Sequence, residues 1–198
     1  MIIHNYNLVI ITPPKTGSVS IAEALKDHLS VDKWLDQSSD CFDFVEKGHQ
    51  KLSKHNSIHD YMEYVDSYYI VGCVRNPFER MVSWWLWFKK PTPYRMDNIS
   101  FCDFVSNKGN HIKFADINQV DFLSINGKCL ADDWIRFESL NSDFNRICTK
   151  ASLGTHILPH RNKTNHKHYT EYYDDTTREI VTKKYQKDID YFGYEFGK

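Results

Sequence analysis

The sequence predicts an α/β fold, a mostly parallel sheet flanked by helices, in a single domain over residues 1–198. Two observations lead there. Short apolar runs without in/out alternation, the mark of strands buried on both faces, alternate with segments of helical periodicity. The first of these runs passes through a tight loop straight into a helix, the connection that parallel sheets require. A chain of 198 residues is long enough for one well-buried core and cramped for two.

The elements follow in order. Leu8-Val9-Ile10-Ile11 is a buried strand ended by Pro13-Pro14. Beyond Gly17, Ile21, Leu25 and Leu29 line one helix face, and Ser18 or Ser20 is placed to cap its start. The polar stretch from Asp32 to Asn56 yields no assignment. Ser57 reads as the N-cap of a short helix through Val65. Tyr68 to Val74 is the second buried strand. Asn76-Pro77 ends it, since the residue before proline is pushed out of helical geometry, and Pro77 suits the first turn of the next helix. That helix carries Phe78, Met81, Val82, Trp85 and Leu86 as a core-facing stripe. Lys89 to Gly127 reads as loops with one short helix near Phe101 to Val105. Trp134 to Phe137 is a third strand, followed by a helix entered near Asn141 that holds Phe144, Ile147 and Cys148. Ala151 to Tyr169 is a polar loop, and Asp174 or Asp175 opens a last helix with Ile180, Val181 and Tyr185.

Composition narrows the function. Lys plus Arg number 25 and Asp plus Glu 26, so the chain lacks the basic excess of a protein that coats nucleic acid, and any anion site must be local. No nucleic-acid partner is expected. Strand-like residues begin by Asn7, ahead of which a signal peptide has no room, and no apolar run nears the roughly 18 residues of a membrane span. The expectation is a cytoplasmic protein without membrane contact. The five cysteines include no CxxC pair, which argues against a zinc site or a disulfide framework.

Two constellations carry chemistry. The first is Pro13-Pro14-Lys15-Thr16-Gly17-Ser18-Val19-Ser20, between a buried strand and a helix start. Backbone N–H groups converge in such a loop, Lys15 adds a full charge, and Ser18 and Ser20 add hydroxyl donors, so an anion is favoured. A Walker A loop places its lysine after the second glycine; here Lys15 precedes the only one. An ordinary strand-to-helix turn with a stray lysine reads the same on this segment alone. The second constellation runs from Val74 to Trp85. Arg75 stands at the carboxyl end of a buried strand, where open α/β sheets bind ligands, and its planar fork suits a phosphate. Ser83 lies two turns into the next helix, off the apolar stripe. The competing reading pairs Arg75 with a carboxylate and leaves Ser83 in solvent.

Together these segments resemble the sulfotransferases that use 3′-phosphoadenosine 5′-phosphosulfate (PAPS). Lys15-Thr16-Gly17-Ser18-Val19-Ser20 is similar to the family's loop for the 5′-phosphosulfate, usually written PKTGTTS. Arg75-Asn76-Pro77-Phe78-Glu79-Arg80-Met81-Val82-Ser83 is similar to its 3′-phosphate element, with Arg75 and Ser83 as ligands. Arg136-Phe137-Glu138-Ser139-Leu140, Leu158-Pro159-His160-Arg161-Asn162-Lys163-Thr164 and Asp188 to Phe196 resemble segments of the carbohydrate branch, in the same order. Val19 departs from the threonine frequent in the family, losing a hydroxyl but not the backbone donor.

The resemblance implies a sulfotransferase fold, related to P-loop nucleotide kinases in its first strand-loop-helix. It implies PAPS as co-substrate, no metal, and a carbohydrate or other hydroxyl as acceptor. Lys15 would act at the bridging oxygen of the donor, while Arg161 and Lys163 would cover the nucleotide. A general base must take the acceptor proton, and His49, in Lys47-Gly48-His49-Gln50, resembles the catalytic histidine of uronyl-type enzymes. His55, His59 and Glu46 are its rivals. His160, His166 and His168 match no tetrahedral ligand spacing. Trp84 or Trp87 could stack on a sugar ring. Two other readings stay open: a P-loop-like kinase, disfavoured by the missing Walker lysine, and a non-catalytic glycan- or nucleotide-binding protein.

Overall fold

The computed structural model describes residues 1–29, 57–90, 96, 98–106, 116–159 and 167–198. Its strands are β1 (Ile2–Ile3), β2 (Leu8–Ile11), β3 (Tyr69–Val74), β4 (Ser124–Ile125), β5 (Lys128–Cys129) and β6 (Asp133–Arg136). Its helices are α1 (Ser18–Ala24), α2 (Pro77–Phe88), α3 (Phe101–Val105), α4 (Leu140–Lys150), α5 (Asp175–Lys184) and α6 (Gln186–Phe192). Short 3₁₀ turns connect several of them. The described chain divides into two compact units. One comprises Met1–Val74 and Asp121–Lys163, the other Arg75–Val120 and Thr164–Lys198.

The first unit is a mixed α/β layer with a parallel-rich sheet in the order β1-β2-β3-β6. β2 pairs with β3 and β3 with β6 in parallel, while β1 adds an antiparallel edge. The pleat sends Leu8, Ile10, Val71, Cys73 and Ile135 to one face, as their register requires. There they meet Ile21 and Leu25 from the α1 segment and Phe144, Ile147 and Cys148 of α4. β2 is buried along its whole length, which is why its residues read as a continuous apolar run. Since β2 and β3 run parallel, their carboxyl ends lie at the same edge of the sheet.

Local chemistry sets the element ends. Ser57 N donates to Asp60 Oδ2 at 2.8 Å where the expected helix starts. The segment that follows, Ile58–Tyr64, is 3₁₀ and kinks at Tyr61, whose φ is −127°. β4 and β5 form a hairpin, and β4 and the turn fall within the Lys89 to Gly127 stretch expected to be loop with one short helix. Its turn residues Asn126 and Gly127 both have positive φ, 50° and 77°, which a two-residue hairpin of the favoured twist demands.

Asp133, at the start of β6, ties strands to helix. Its Oδ2 accepts from Tyr69 Oη at 2.6 Å, Arg146 Nη1 at 2.8 Å and Lys150 Nζ at 3.2 Å. Burial acts to raise the Asp133 pKa, but these donors and the Trp134 N–H outweigh it and hold the carboxyl well below the usual carboxylate range. A depressed native pKa means stability that is full above the unfolded value, about 3.9, and lost as pH falls toward the native one. Asp133→Asn is therefore expected to lower unfolding free energy by about 1–3 kcal/mol at neutral pH. Denaturant titration should show the gap to the native protein shrinking below about pH 4; a gap constant down to about pH 3 would refute the electrostatic account.

The second unit is helical. Asn76 caps α2, accepting from Phe78 N at 3.0 Å, and Pro77 takes the first helical position. Phe78, Met81, Val82 and Trp85 of the predicted stripe are buried, while Leu86, its fifth member, is half-buried. Ser100 caps α3, accepting from Asp103 N at 3.0 Å, and Asp174 caps α5, accepting from Thr177 N at 2.7 Å. The tail is anchored by rings: Phe196 lies 5.1 Å from Phe78 and 5.3 Å from Tyr173 between ring centroids. Among the described residues no helix is long and apolar enough to cross a membrane.

Candidate active site

The Lys15 loop belongs to the first unit. The chain leaves β2 through Thr12, Pro13 and Pro14, all buried, and reaches Lys15, half-buried with φ 73°. A lysine in the left-handed region costs on the order of 1–3 kcal/mol and persists only where its surroundings impose it. Thr16 supplies part of that constraint, because its buried Oγ1 donates to Pro13 O at 2.7 Å and closes a turn around Lys15. Gly17 supplies the rest. Its φ of 92° favours glycine, and a Cβ there would come within 3.1 Å of Leu140 Cδ2. Gly17 is also the N-cap of α1, with no side-chain capping bond, so neither Ser18 nor Ser20 takes the expected capping role. Ser18 and Ser20 are buried in the first turn of α1, and Val19 is half-buried between them. α1 itself stops at Ala24, and only turn-type bonds from His28 N and Leu29 N to Leu25 O continue toward Leu29.

The Arg75 element belongs to the second unit. Arg75 is 6% exposed. Its Nη2 donates to Glu79 Oε1 at 2.8 Å, an i,i+4 ion pair of the kind the competing reading foresees. A guanidinium has five donors, so one carboxylate does not exhaust it. Ser83, half-buried on α2, stands four residues beyond Glu79 and so shares its helix face. The Arg75 backbone is held as well. Gln119 Oε1 accepts from Arg75 N and Gln119 Nε2 donates to Arg75 O, each at 2.8 Å. Behind Gln119, Asp188 accepts from Gln119 N at 2.8 Å, Gln119 Nε2 at 3.1 Å and Val120 N at 2.9 Å. Burial pushes the Asp188 carboxyl up, opposed by Arg80 and by those N–H donors. Arg80 is itself buried, donating Nη1 to Ile117 O at 3.2 Å. Neither Gln119 nor the Asp188 contact is foreseen by local pattern, though Asp188 opens the tail segment that resembles the carbohydrate branch.

Other predicted residues fall as follows. His49, His55, Glu46, Arg161 and Lys163 lie outside the described residues, as do His160 and His166. His59 is exposed on the Ile58–Tyr64 turn. Trp84 is 1% exposed and packs on Trp87 and Phe88, so of the two tryptophans considered for sugar stacking only Trp87 retains accessible surface. Among the described residues no group of three or more His, Cys, Asp or Glu is placed to hold a metal ion.

A family model described as the sulfotransferase family matches residues 1–195. The chain belongs to the sulfotransferase family. No curated protein and no solved structure matches it. The chemistry of this sulfotransferase is the transfer of a sulfuryl group to an acceptor, and both the Lys15 loop and the Arg75 element lie inside the matched range.

Proposed function

We propose that this sulfotransferase works as a single domain that moves the sulfuryl group of PAPS to a hydroxyl, in the first instance of a carbohydrate. The observation that carries the reading is the family match over residues 1–195, joined to a strained lysine turn at the end of its first buried parallel strand. In this reading Lys15, Thr16, Gly17, Ser18, Val19 and Ser20 take the 5′-phosphosulfate. Because Thr16 Oγ1 donates within the loop, its share would come from the backbone N–H. Arg75 and Ser83 take the 3′-phosphate, and Arg161 and Lys163 cover the nucleotide. Arg75 would then bridge Glu79 and the phosphate, two anions on one fork.

The reaction is an in-line displacement. The acceptor oxygen bonds to sulfur as the bond from sulfur to the phosphate oxygen breaks. The acceptor proton passes to neutral His49, and 3′,5′-bisphosphoadenosine leaves with its new charge countered by Lys15. No metal has a part in this scheme.

Calorimetric titration tests the donor. Charge-assisted contacts to a second phosphate are each worth roughly 1.5–3 kcal/mol, so bisphosphoadenosine is expected to bind ten-fold or more tighter than adenosine 5′-monophosphate. Equal affinities would remove Arg75 and Ser83 as phosphate ligands. Binding of ATP in clear preference to bisphosphoadenosine would favour the kinase reading instead.

A further inference from the structure

Arg75 is the first residue past the β3–β6 ladder, whose last pair is Val74 with Arg136. Beyond the ladder its backbone N–H and C=O need partners, since the residue is buried. They find both on one side chain, Gln119, which stands in for a neighbouring strand through two bonds of 2.8 Å. Gln119 is 44 positions away in sequence and 0% exposed. A carboxamide can do this in one orientation only, Oε1 toward Arg75 N and Nε2 toward Arg75 O. Turned over, it would set acceptor against acceptor and donor against donor.

Asp188 selects the orientation. Its carboxylate is fully buried, and as an acceptor-only group it must face Nε2, which it does at 3.1 Å. The same carboxylate pins the Gln119 and Val120 N–H groups, so the segment that carries the amide is held too. Asn76, the next residue, is tied down as well, donating Nδ2 to Glu195 O at 3.1 Å and to Lys198 O at 3.2 Å. The guanidinium of Arg75 thus springs from a backbone fixed at both of its polar groups.

We propose that Gln119 and Asp188 are positioning residues that set the discrimination for the 3′-phosphate. Asp188 orients the Gln119 amide, and the amide holds Arg75 where its guanidinium meets that phosphate. This rests on the assignment of Arg75 in the proposed function. Neither residue touches the nucleotide in this scheme, so their effect passes wholly through Arg75.

The test reads a ratio, the affinity for 3′,5′-bisphosphoadenosine over that for adenosine 5′-monophosphate. It is measured by calorimetry on the full chain, at a temperature where a thermal melt shows each variant folded. Gln119→Met keeps length and removes both bonds to Arg75. It is expected to cut the ratio about ten-fold, with monophosphate affinity within about two-fold of the native protein. Asp188→Asn keeps shape but sets an NH2 group against one of the N–H groups the carboxylate holds, which loosens the amide, and should cut the ratio in the same sense by a smaller factor. If Gln119→Met does not fold, Asp188→Asn decides by itself. A lowered melting temperature with an unchanged ratio would make the pair merely structural and overturn the inference. If the native protein shows no preference, the assignment of Arg75 fails first and the inference falls with it. A native preference that survives both substitutions sinks the inference alone.

Discussion

His49→Ala is expected to lower turnover by about 100- to 10,000-fold, the usual cost of removing a general base. Affinity for 3′,5′-bisphosphoadenosine should stay nearly constant, because the base meets the acceptor and not the nucleotide. In the proposed mechanism His49 takes the acceptor proton, which requires neutral imidazole. Turnover of the native enzyme should therefore fall on the acid side of neutrality, the range in which histidine side chains in general take up a proton. His59→Ala is the matching control. Its exposed place on the Ile58–Tyr64 turn makes it a surface substitution, expected to change stability by no more than about 0.5 kcal/mol. Steady-state kinetics of the His49, His55, His59 and Glu46 variants decide the matter. Near-normal turnover in His49→Ala with collapse in one of the others would move the base to that residue and leave the donor assignment standing.

Lys15→Ala should lower turnover by about 100-fold or more while weakening donor binding far less. In the proposed mechanism its ammonium counters the charge on the leaving oxygen, a contribution that belongs to the transition state more than to the ground state. A left-handed lysine, closed in by Thr16 and followed by a left-handed glycine, marks strain kept at one point of the loop. Alanine also has a Cβ and tolerates the left-handed region no better than lysine, so the variant leaves the backbone demand of the turn as it is. Single-turnover rates and donor titration separate the two effects. A raised Michaelis constant for donor with unchanged turnover would make Lys15 a binding residue only.

Much of this was legible in the sequence where a signal was local. The unbroken apolar character of Leu8–Ile11 and Tyr69–Val74 announces strands buried in a parallel sheet, and the pairing bears it out. Asn76-Pro77 places the start of α2 to the residue. The i,i+4 spacing of Arg75 and Glu79 contains the ion pair that the structure shows. What escaped was short or distant. β1 is two residues long, too few for any period to register. The Asn126-Gly127 turn carried a hairpin signal, but its strands are two residues each, too short for alternation to register. The last helix, expected to hold Ile180, Val181 and Tyr185, ends at Lys184, so Tyr185 falls at its C-cap and the chain restarts as α6 at Gln186. The clamp on Arg75 joins Gln119 to Asp188 across 69 positions, and no local pattern encodes a contact of that span.

The central claim is that PAPS is the sulfuryl donor, and transfer of label from donor to acceptor tests it most directly. The purified chain would be incubated with PAPS carrying radioactive sulfur and a panel of glycans bearing free hydroxyls, without added metal. The account predicts label covalently attached to at least one glycan, with one 3′,5′-bisphosphoadenosine released for each sulfate transferred. Label that stays with the donor across the panel and across simple hydroxyl acceptors, while the protein still binds bisphosphoadenosine, would contradict it and leave a nucleotide-binding protein without turnover.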